Sequence, residues 1–185
     1  AAGMVFEYLV RSYKNGDTDS QAREKMHNAS CIAGMAFTNA FLGLNHSMAH
    51  KLGGEYHIPH GRANAILLPY VIEYNASKPT KFTTFPKYEK FVADKKYAKI
   101  AQFIGVGGKN TEESVRNLIE AIKKLERELS MPMSIKECGV DEEQFFSNLQ
   151  RLSENAHEDQ CTTANPRYPL IDEIKQIYTR AYYGK

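Results

Sequence analysis

Hydrophobic residues recur every three or four positions along most of the chain, which is the spacing of amphipathic helices rather than strands. The pattern is clearest in two segments of the second half, each opened by residues that cap helices. Asn110 with Glu113 opens one segment, and Asp141 with Gln144 opens the other. The apolar positions behind these caps are Val115, Leu118, Ile119, Ile122 and Leu125, then Phe145, Phe146, Leu149 and Leu152. Two capped helices are therefore predicted here.

The first half of the chain predicts four more helices, whose ends follow from capping and helix-stopping residues. The first should run to about Tyr13, and the second from the capping residues 17–20 to beyond Phe37, with a pause near Gly43. The third should run from Leu44 to Leu52 and stop at Gly53-Gly54. The fourth should begin near His60, and Pro69 inside it predicts a kink or an early-turn position.

Helical spacing is missing from residues 76–88 and from residues 159–169, and we interpret both stretches as surface loops. Further helices are predicted over residues 88–104 and 171–183. The chain has no convincing run of alternating polar and apolar residues and no internal repeat. The sequence therefore predicts an all-α helical bundle that forms a single domain over residues 1–185.

Composition places the chain among ordinary globular proteins, with 42% hydrophobic and 25% charged residues. The net charge is only +2, and no apolar run approaches the roughly 20 residues that cross a bilayer, so nucleic acid and membrane are not expected partners. Three widely spaced cysteines do not form a disulfide framework and favour a reducing, cytoplasmic setting. Since the chain opens inside a helical pattern without a cap or an initiating Met, we expect a fragment of a longer protein.

Histidines are concentrated in one short segment, where four of the six fall within fifteen residues. His46 and His50 share one face of a helix, and a turn after Gly53-Gly54 could bring His60 to the same point. Neutral imidazoles are preferred ligands of Zn²⁺ and Fe²⁺, although a single helical histidine is more often a surface or core residue. A zinc peptidase is excluded, because Ser47 stands where that chemistry needs a glutamate.

The histidine segment and its surroundings resemble the signatures of the iron-containing alcohol dehydrogenases. Within that family the chain is most similar to the alcohol dehydrogenase half of bifunctional aldehyde–alcohol dehydrogenases. The general motifs are residues 46–54 (His-Ser-Met-Ala-His-Lys-Leu-Gly-Gly), Ile58-Pro59-His60-Gly61, Leu67-Leu68-Pro69, residues 33–37 and Asn165-Pro166-Arg167. The motifs typical of the bifunctional subgroup are residues 81–86 and Asp159-Gln160-Cys161-Thr162.

This resemblance implies the helical C-terminal metal-binding domain of a dehydroquinate-synthase-like fold. It implies Fe²⁺, or alternatively Zn²⁺, held by His46 and His60 together with an aspartate and a third histidine upstream of residue 1. His50 is implied as a catalytic residue that is not a ligand and acts near the nicotinamide or in proton relay. The ion would act as a Lewis acid on the alcohol or aldehyde oxygen.

The resemblance also implies that Phe37 and Cys161 line the substrate pocket. From the residues alone, Phe37 is a core position and Cys161 an ordinary loop thiol. His57 matches no ligand, and we interpret it as a surface residue or a neighbour of the site. The glycines of residues 105–108 follow a helix rather than a strand and lack the dinucleotide-binding pattern, so NAD(H) should be bound mainly by an N-terminal nucleotide-binding domain that this chain lacks.

Two functional hypotheses follow. The first is the metal-site domain of an NAD-dependent alcohol dehydrogenase of ethanol fermentation, which reduces acetaldehyde or similar short aldehydes to primary alcohols and is inactive without its other domain. The second is a non-catalytic helical module for assembly of a larger enzyme, since bifunctional relatives form filaments and the full protein should be a homo-oligomer or filament. A freestanding histidine-rich metal-binding bundle is a weaker third alternative.

Overall fold

The computed structural model describes residues 1–79 and 91–185, and over these residues the chain is helical without a β-strand, as predicted. None of the described helices is long and apolar enough to cross a membrane. The helices are α1 (Ala2–Asn15), α2 (Ser20–Ala40), α3 (Leu44–Tyr56), α4 (His60–Ala76), α5 (Ala93–Phe103), α6 (Thr111–Glu128), α7 (Glu142–Glu158) and α8 (Ile171–Tyr183), with two short 3₁₀ helices over Lys136–Cys138 and Gln160–Ala164.

The predicted helix caps are confirmed by side-chain hydrogen bonds to free backbone donors at the helix starts. The Asn110 side chain accepts from the amide of Glu113 at 2.8 Å, and the Asp141 carboxylate accepts from the amide of Gln144 at 2.9 Å. At the start of α2, the Asp19 carboxylate accepts from the amide of Ala22 at 2.9 Å. Helix α8 covers the residues that the sequence predicts.

The predicted end of α3 at Gly53-Gly54 is wrong, because the helix continues through both glycines to Tyr56. It ends at His57, whose φ of 54° is left-handed and whose amide donates to the Gly53 carbonyl at 3.1 Å. Pro69 lies inside α4 without ending it. The predicted loop over 159–169 contains the 3₁₀ helix Gln160–Ala164. Most of the predicted loop over 76–88 and the motif over 81–86 lie outside the described residues. The helix predicted over 88–104 is too long at its start, because residues 91–92 are not helical and α5 begins at Ala93.

The main core is formed by α3, α4, α7 and α8, and a second, smaller cluster joins α4 to α5 and α6. Buried tyrosines connect the main core to the backbone. The Tyr178 hydroxyl donates to the Met48 carbonyl at 2.8 Å, and the Tyr182 hydroxyl donates to the Val140 carbonyl at 3.0 Å. Both side chains are fully buried and out of contact with water. These bonds therefore give the two hydroxyl groups the partners that water would otherwise supply.

Helices α1 and α2 form a hairpin that contributes little to either core. Helix α1 buries no residue completely, and α2 buries only Ala22 and Ala29. The second half of α2 and its C-cap expose large apolar side chains, with Met35 58% exposed and Phe37 49% exposed. We refer to Ile32, Met35, Phe37 and Phe41 together as the exposed α2 face. These side chains surround the end of the helix, because Met35 and Phe37 are two positions apart and point to different sides.

A buried amide joins three separate parts of the fold. The Asn165 side-chain oxygen accepts from the amide of Leu44 at 3.1 Å, which satisfies the start of α3. Its carboxamide exchanges two hydrogen bonds with the carboxamide of Asn75 in α4, and its nitrogen donates to the Arg167 carbonyl at 2.6 Å. Asn165 is 2% exposed, so these partners replace water almost entirely.

We predict that Asn165→Ala lowers the free energy of unfolding by about 2–4 kcal/mol, because it leaves several buried donors and acceptors without partners. Asn39→Ala is the matched control, since Asn39 is exposed and its side chain donates to the Met35 carbonyl one turn earlier. Urea unfolding followed by circular dichroism compares the two variants. A loss for Asn165→Ala no larger than that of the control would contradict the role given to the network.

Glu126 is a buried carboxylic acid in α6, with 8% of its surface exposed. Burial raises its pKa from 4.5 to about 7, although the nearby charges of Lys123 and Arg127 act in the opposite direction. The folded state therefore favours the protonated acid. The stability associated with that form is fully present below pH 4.5 and is lost as the pH rises through about 7.

Glu126→Gln should remove this pH dependence, because the amide stays neutral. We expect the gain in free energy of unfolding over the wild type to be small below pH 4.5, to grow as the pH rises, and to reach about 1–3 kcal/mol near pH 7.5. Chemical denaturation at several pH values measures the difference. Glu128→Gln, at the exposed end of the same helix, serves as the control, and parallel curves for wild type and Glu126→Gln would refute the prediction.

Candidate active site

Three histidine rings meet where α3 and α4 adjoin. His46 and His50 lie one turn apart in α3, and His60 is the first residue of α4, brought back by the short turn at residues 57–59. The ring centroids are 5.4 Å apart for His46 and His60, 5.5 Å for His50 and His60, and 6.3 Å for His46 and His50. The rings of His50 and His60 are stacked with an angle of 21° between them. The structure thus brings together the three histidines that the sequence singles out.

The spacing of His46 and His60 fits two imidazoles that share one ion. A nitrogen about 2.0–2.2 Å from the ion places each ring centroid about 3.2 Å away, so two such rings lie about 4.5–5.5 Å apart. The 5.4 Å separation of His46 and His60 falls in this range, whereas the 6.3 Å between His46 and His50 exceeds it. The 5.5 Å between His50 and His60 lies at its upper end, but these two rings are stacked, whereas those of His46 and His60 are tilted by 50°. The donor set also suits Fe²⁺ or Zn²⁺, both of which accept imidazole ligands.

The surroundings of the two rings favour neutral imidazoles. Burial holds the pKa of His46 below its usual value, and the neighbouring His60 and His50 act in the same direction. The Nε2 atom of His60 lies 3.1 Å from the side-chain nitrogen of Asn64, whose oxygen accepts from Asn45 at 2.8 Å. The Asn64 nitrogen can only donate, so Nε2 of His60 accepts this hydrogen bond and is held as an unprotonated nitrogen.

His50 contacts a carboxylate that the spacing of the histidines did not reveal. One oxygen of Asp159 lies 3.2 Å from Nδ1 of His50 and 2.9 Å from the Lys51 ammonium, and the other accepts from the amide of Cys161 at 3.0 Å. Burial alone would raise the pKa of Asp159. The hydrogen bonds from Lys51, the Cys161 amide and His50, with the charge of Lys51, outweigh burial and hold that pKa well below its usual range.

Cys161 lies next to this group and is 2% exposed. Burial raises the pKa of its thiol, and the hydrogen bond and charge of Asp159 raise it further, so the thiol does not favour the nucleophilic thiolate form. Potential ligand atoms of His50, Asp159 and Cys161 lie within 4.8 Å of one another. The Lys51 ammonium, however, already neutralises the carboxylate there, which disfavours a second cation.

The other two residues singled out from the sequence lie apart from the histidine rings. Phe37 belongs to the exposed α2 face, and within the described part of the chain no ring contact joins it to His46, His50 or His60. His57 is exposed and ends α3 through its left-handed backbone. The role of this position in the fold therefore comes from its backbone conformation rather than from its imidazole.

The 3₁₀ helix that carries Cys161 is attached to α3 by a buried hydroxyl pair. The Thr162 hydroxyl oxygen lies 2.7 Å from the Ser47 hydroxyl oxygen and 2.6 Å from the Ala156 carbonyl. Ser47 is adjacent to His46 in the chain, so this contact fixes the loop against the histidine-bearing helix. A serine and a threonine 115 positions apart give no sequence signal of such a pair.

The known proteins that this chain resembles belong to one family. Residues 1–182 match the Fe-containing alcohol dehydrogenase family, C-terminal. The chain is 50% identical over 188 residues to the bifunctional aldehyde-alcohol dehydrogenase of Escherichia coli K12, and 49% identical over 184 residues to the aldehyde-alcohol dehydrogenase of Streptococcus pneumoniae serotype 4. Both matches cover 100% of this chain and 21% of the relative.

A solved structure supports the same grouping. The crystal structure of a 1,3-propanediol oxidoreductase superposes with a TM-score of 0.83 at 34% identity, covering 98% of this chain and 43% of that protein. The chain therefore spans about a fifth of the length of these two relatives and less than half of this structural neighbour.

We predict that Thr162→Val destabilises the fold by about 1–3 kcal/mol, because it leaves the buried Ser47 hydroxyl and the Ala156 carbonyl without their partner. Thr38→Val is the control, since Thr38 is exposed and its hydroxyl donates to the Gly34 carbonyl within α2. Thermal and urea unfolding measure both variants. Equal, small effects would show that the hydroxyl pair does not hold the 3₁₀ helix against α3.

Proposed function

Because this chain belongs to the Fe-containing alcohol dehydrogenase family and corresponds to its C-terminal part, we propose that it is the metal-site domain of an NAD-dependent alcohol dehydrogenase that reduces acetaldehyde or similar short aldehydes to primary alcohols. The observation that carries this proposal is the convergence of His46 and His60 at a spacing suited to one shared ion. The aldehyde and alcohol substrates are supported by the names of the two curated relatives, each about half identical to the whole chain.

His46 and His60 would hold the ion, Fe²⁺ or alternatively Zn²⁺, with an aspartate and a third histidine from a preceding segment of the enzyme. Bound there, the ion supplies Lewis-acid polarisation of the substrate oxygen. His50 stacks on His60 and is not itself assigned as a ligand, and an imidazole next to the ligand pair is suited to hold or pass a proton. Cys161 and Phe37 would line the substrate pocket, with Phe37 completing it from α2.

The exposed α2 face supports docking of this domain against the nucleotide-binding domain, which would hold most of NAD(H). Met35 is 58% exposed and Phe37 is 49% exposed, and contact with a second domain would bury apolar side chains of this kind. The domain by itself would then lack two metal ligands and most of the cofactor site and be inactive. The complete enzyme would be cytoplasmic and form a homo-oligomer or filament.

The same exposed α2 face favours one alternative, a non-catalytic helical module that serves only assembly. Adding the nucleotide-binding domain distinguishes the two. It restores aldehyde reduction if this chain is the metal-site domain, and it gives association without activity if the chain is only an assembly module. The ring geometry of His46 and His60 favours the enzymatic role, because an assembly module has no need for converging imidazoles.

We predict that His46→Ala and His60→Ala, made in the complete enzyme, each reduce bound metal to below about a tenth of the wild-type content and abolish aldehyde reduction. The matched control is His57→Asn, which removes a nearby exposed imidazole, tolerates the left-handed backbone at this position and should retain metal. Elemental analysis after gel filtration measures the metal, and NADH oxidation with acetaldehyde measures the activity. Full metal content in His46→Ala or His60→Ala would refute the ligand assignment.

A further inference from the structure

The contact between His50 and Asp159 places a charged acceptor on one particular ring nitrogen. Asp159 Oδ2 is 3.2 Å from Nδ1 of His50, and the Asp159 side chain is only 9% exposed. His50 comes from the middle of α3, whereas Asp159 precedes the 3₁₀ helix Gln160–Ala164, 109 residues later. The tertiary fold therefore creates a carboxylate–imidazole pair next to the histidine cluster.

Two surrounding donors require Asp159 to act as an acceptor. The Lys51 ammonium lies 2.9 Å from the same oxygen that faces His50, and the Cys161 amide donates to the other oxygen at 3.0 Å. An ammonium group has no acceptor and a backbone amide only donates, so both bonds need the ionised carboxylate, which is an acceptor at both oxygens. The low pKa of Asp159 described above agrees with this charge state.

We infer that Asp159 is a positioning residue for His50: it accepts the Nδ1–H of the imidazole and thereby leaves Nε2 unprotonated for the active site. A neutral imidazole carries one proton, so a proton held on Nδ1 makes Nε2 the lone-pair nitrogen. Lys51 is the counter-ion that keeps Asp159 ionised. The contact between Ser47 and Thr162 holds the 3₁₀ helix against α3, so that Asp159 stays next to His50.

A purely structural role is the competing explanation, because Asp159 is also the N-cap of the 3₁₀ helix through the Cys161 amide. Two substitutions separate the roles. In Asp159→Ser, a hydroxyl can still cap the helix but does not supply a charge to His50. In Asp159→Asn, the shape is kept, but a carboxamide nitrogen can donate to Nδ1 and favour the opposite tautomer.

Nitrogen NMR of the histidine-labelled 185-residue chain tests the tautomer directly and requires neither metal nor activity. At alkaline pH, where the imidazole is neutral, we expect the proton of His50 to reside on Nδ1 in the wild type. We expect the Nε2–H form to become the major one in Asp159→Asn and to rise at least several-fold in Asp159→Ser. Asp141→Ser, which changes the N-cap aspartate of α7, should leave the His50 signals unchanged.

The kinetic part of the test rests on the proposed function and uses the complete enzyme. Loss of a residue that orients an active-site group typically costs about 10–100-fold, and we expect a fall of that size in kcat for Asp159→Ser and Asp159→Asn, with KM within about threefold and metal content unchanged. Asp159→Glu, which restores a carboxylate, should recover most of the wild-type kcat.

The NMR test of the inference and the activity test of the proposed function can fail independently of each other. A wild-type His50 protonated on Nε2, or a tautomer that Asp159→Ser does not alter in a chain whose amide spectrum shows it folded, would overturn the inference whatever the activity. An enzyme without aldehyde reductase activity in its wild-type form would overturn the proposed function and leave the NMR result intact. Equal losses of kcat in Asp159→Ser and Asp141→Ser would show that only helix capping is involved and would also overturn the inference.

Discussion

The burial of one face of α3 is the constraint on which the rest of the site depends. Leu44, Met48 and Leu52 follow one another at intervals of four residues, and each is completely buried against the neighbouring helices. Because these positions fix the rotation of α3 about its axis, His46 and His50 must lie on another side of the helix, one turn apart. The positions of the His46 and His50 rings therefore follow from the packing of apolar side chains, in which neither ring takes part.

The polar contacts around α3 then place the third histidine and the carboxylate. The left-handed His57 ends α3 and lets α4 begin three residues later, which puts His60 beside the α3 rings. On the other side, the segment from Asp159 to Asn165 is attached at both ends. Asp159 contacts α3 through Lys51 and His50, and Asn165 satisfies the first backbone amide of α3.

The helices differ in how completely they bury their apolar residues. The α3, α4, α7 and α8 core encloses large side chains such as Phe145 and Tyr178, so it positions the histidine site rigidly. By contrast, Met35 and Phe37 of α2 remain 58% and 49% exposed. A well-packed core that carries the histidines beside exposed apolar side chains agrees with the proposal that a second domain completes the site.

The sequence by itself determined the helical class, the capped starts of α6 and α7, the extent of α8 and the shared helix face of His46 and His50. All of these depend on bonds or spacings within about four residues, which a sequence pattern contains. It did not determine the end of α3, because Gly53-Gly54 remain helical in a packed environment and the left-handed turn falls at His57. The contacts of His50 with Asp159 and of Ser47 with Thr162 join residues more than 100 positions apart, and only the packing of the 3₁₀ helix on α3 decides which of many polar residues meet there.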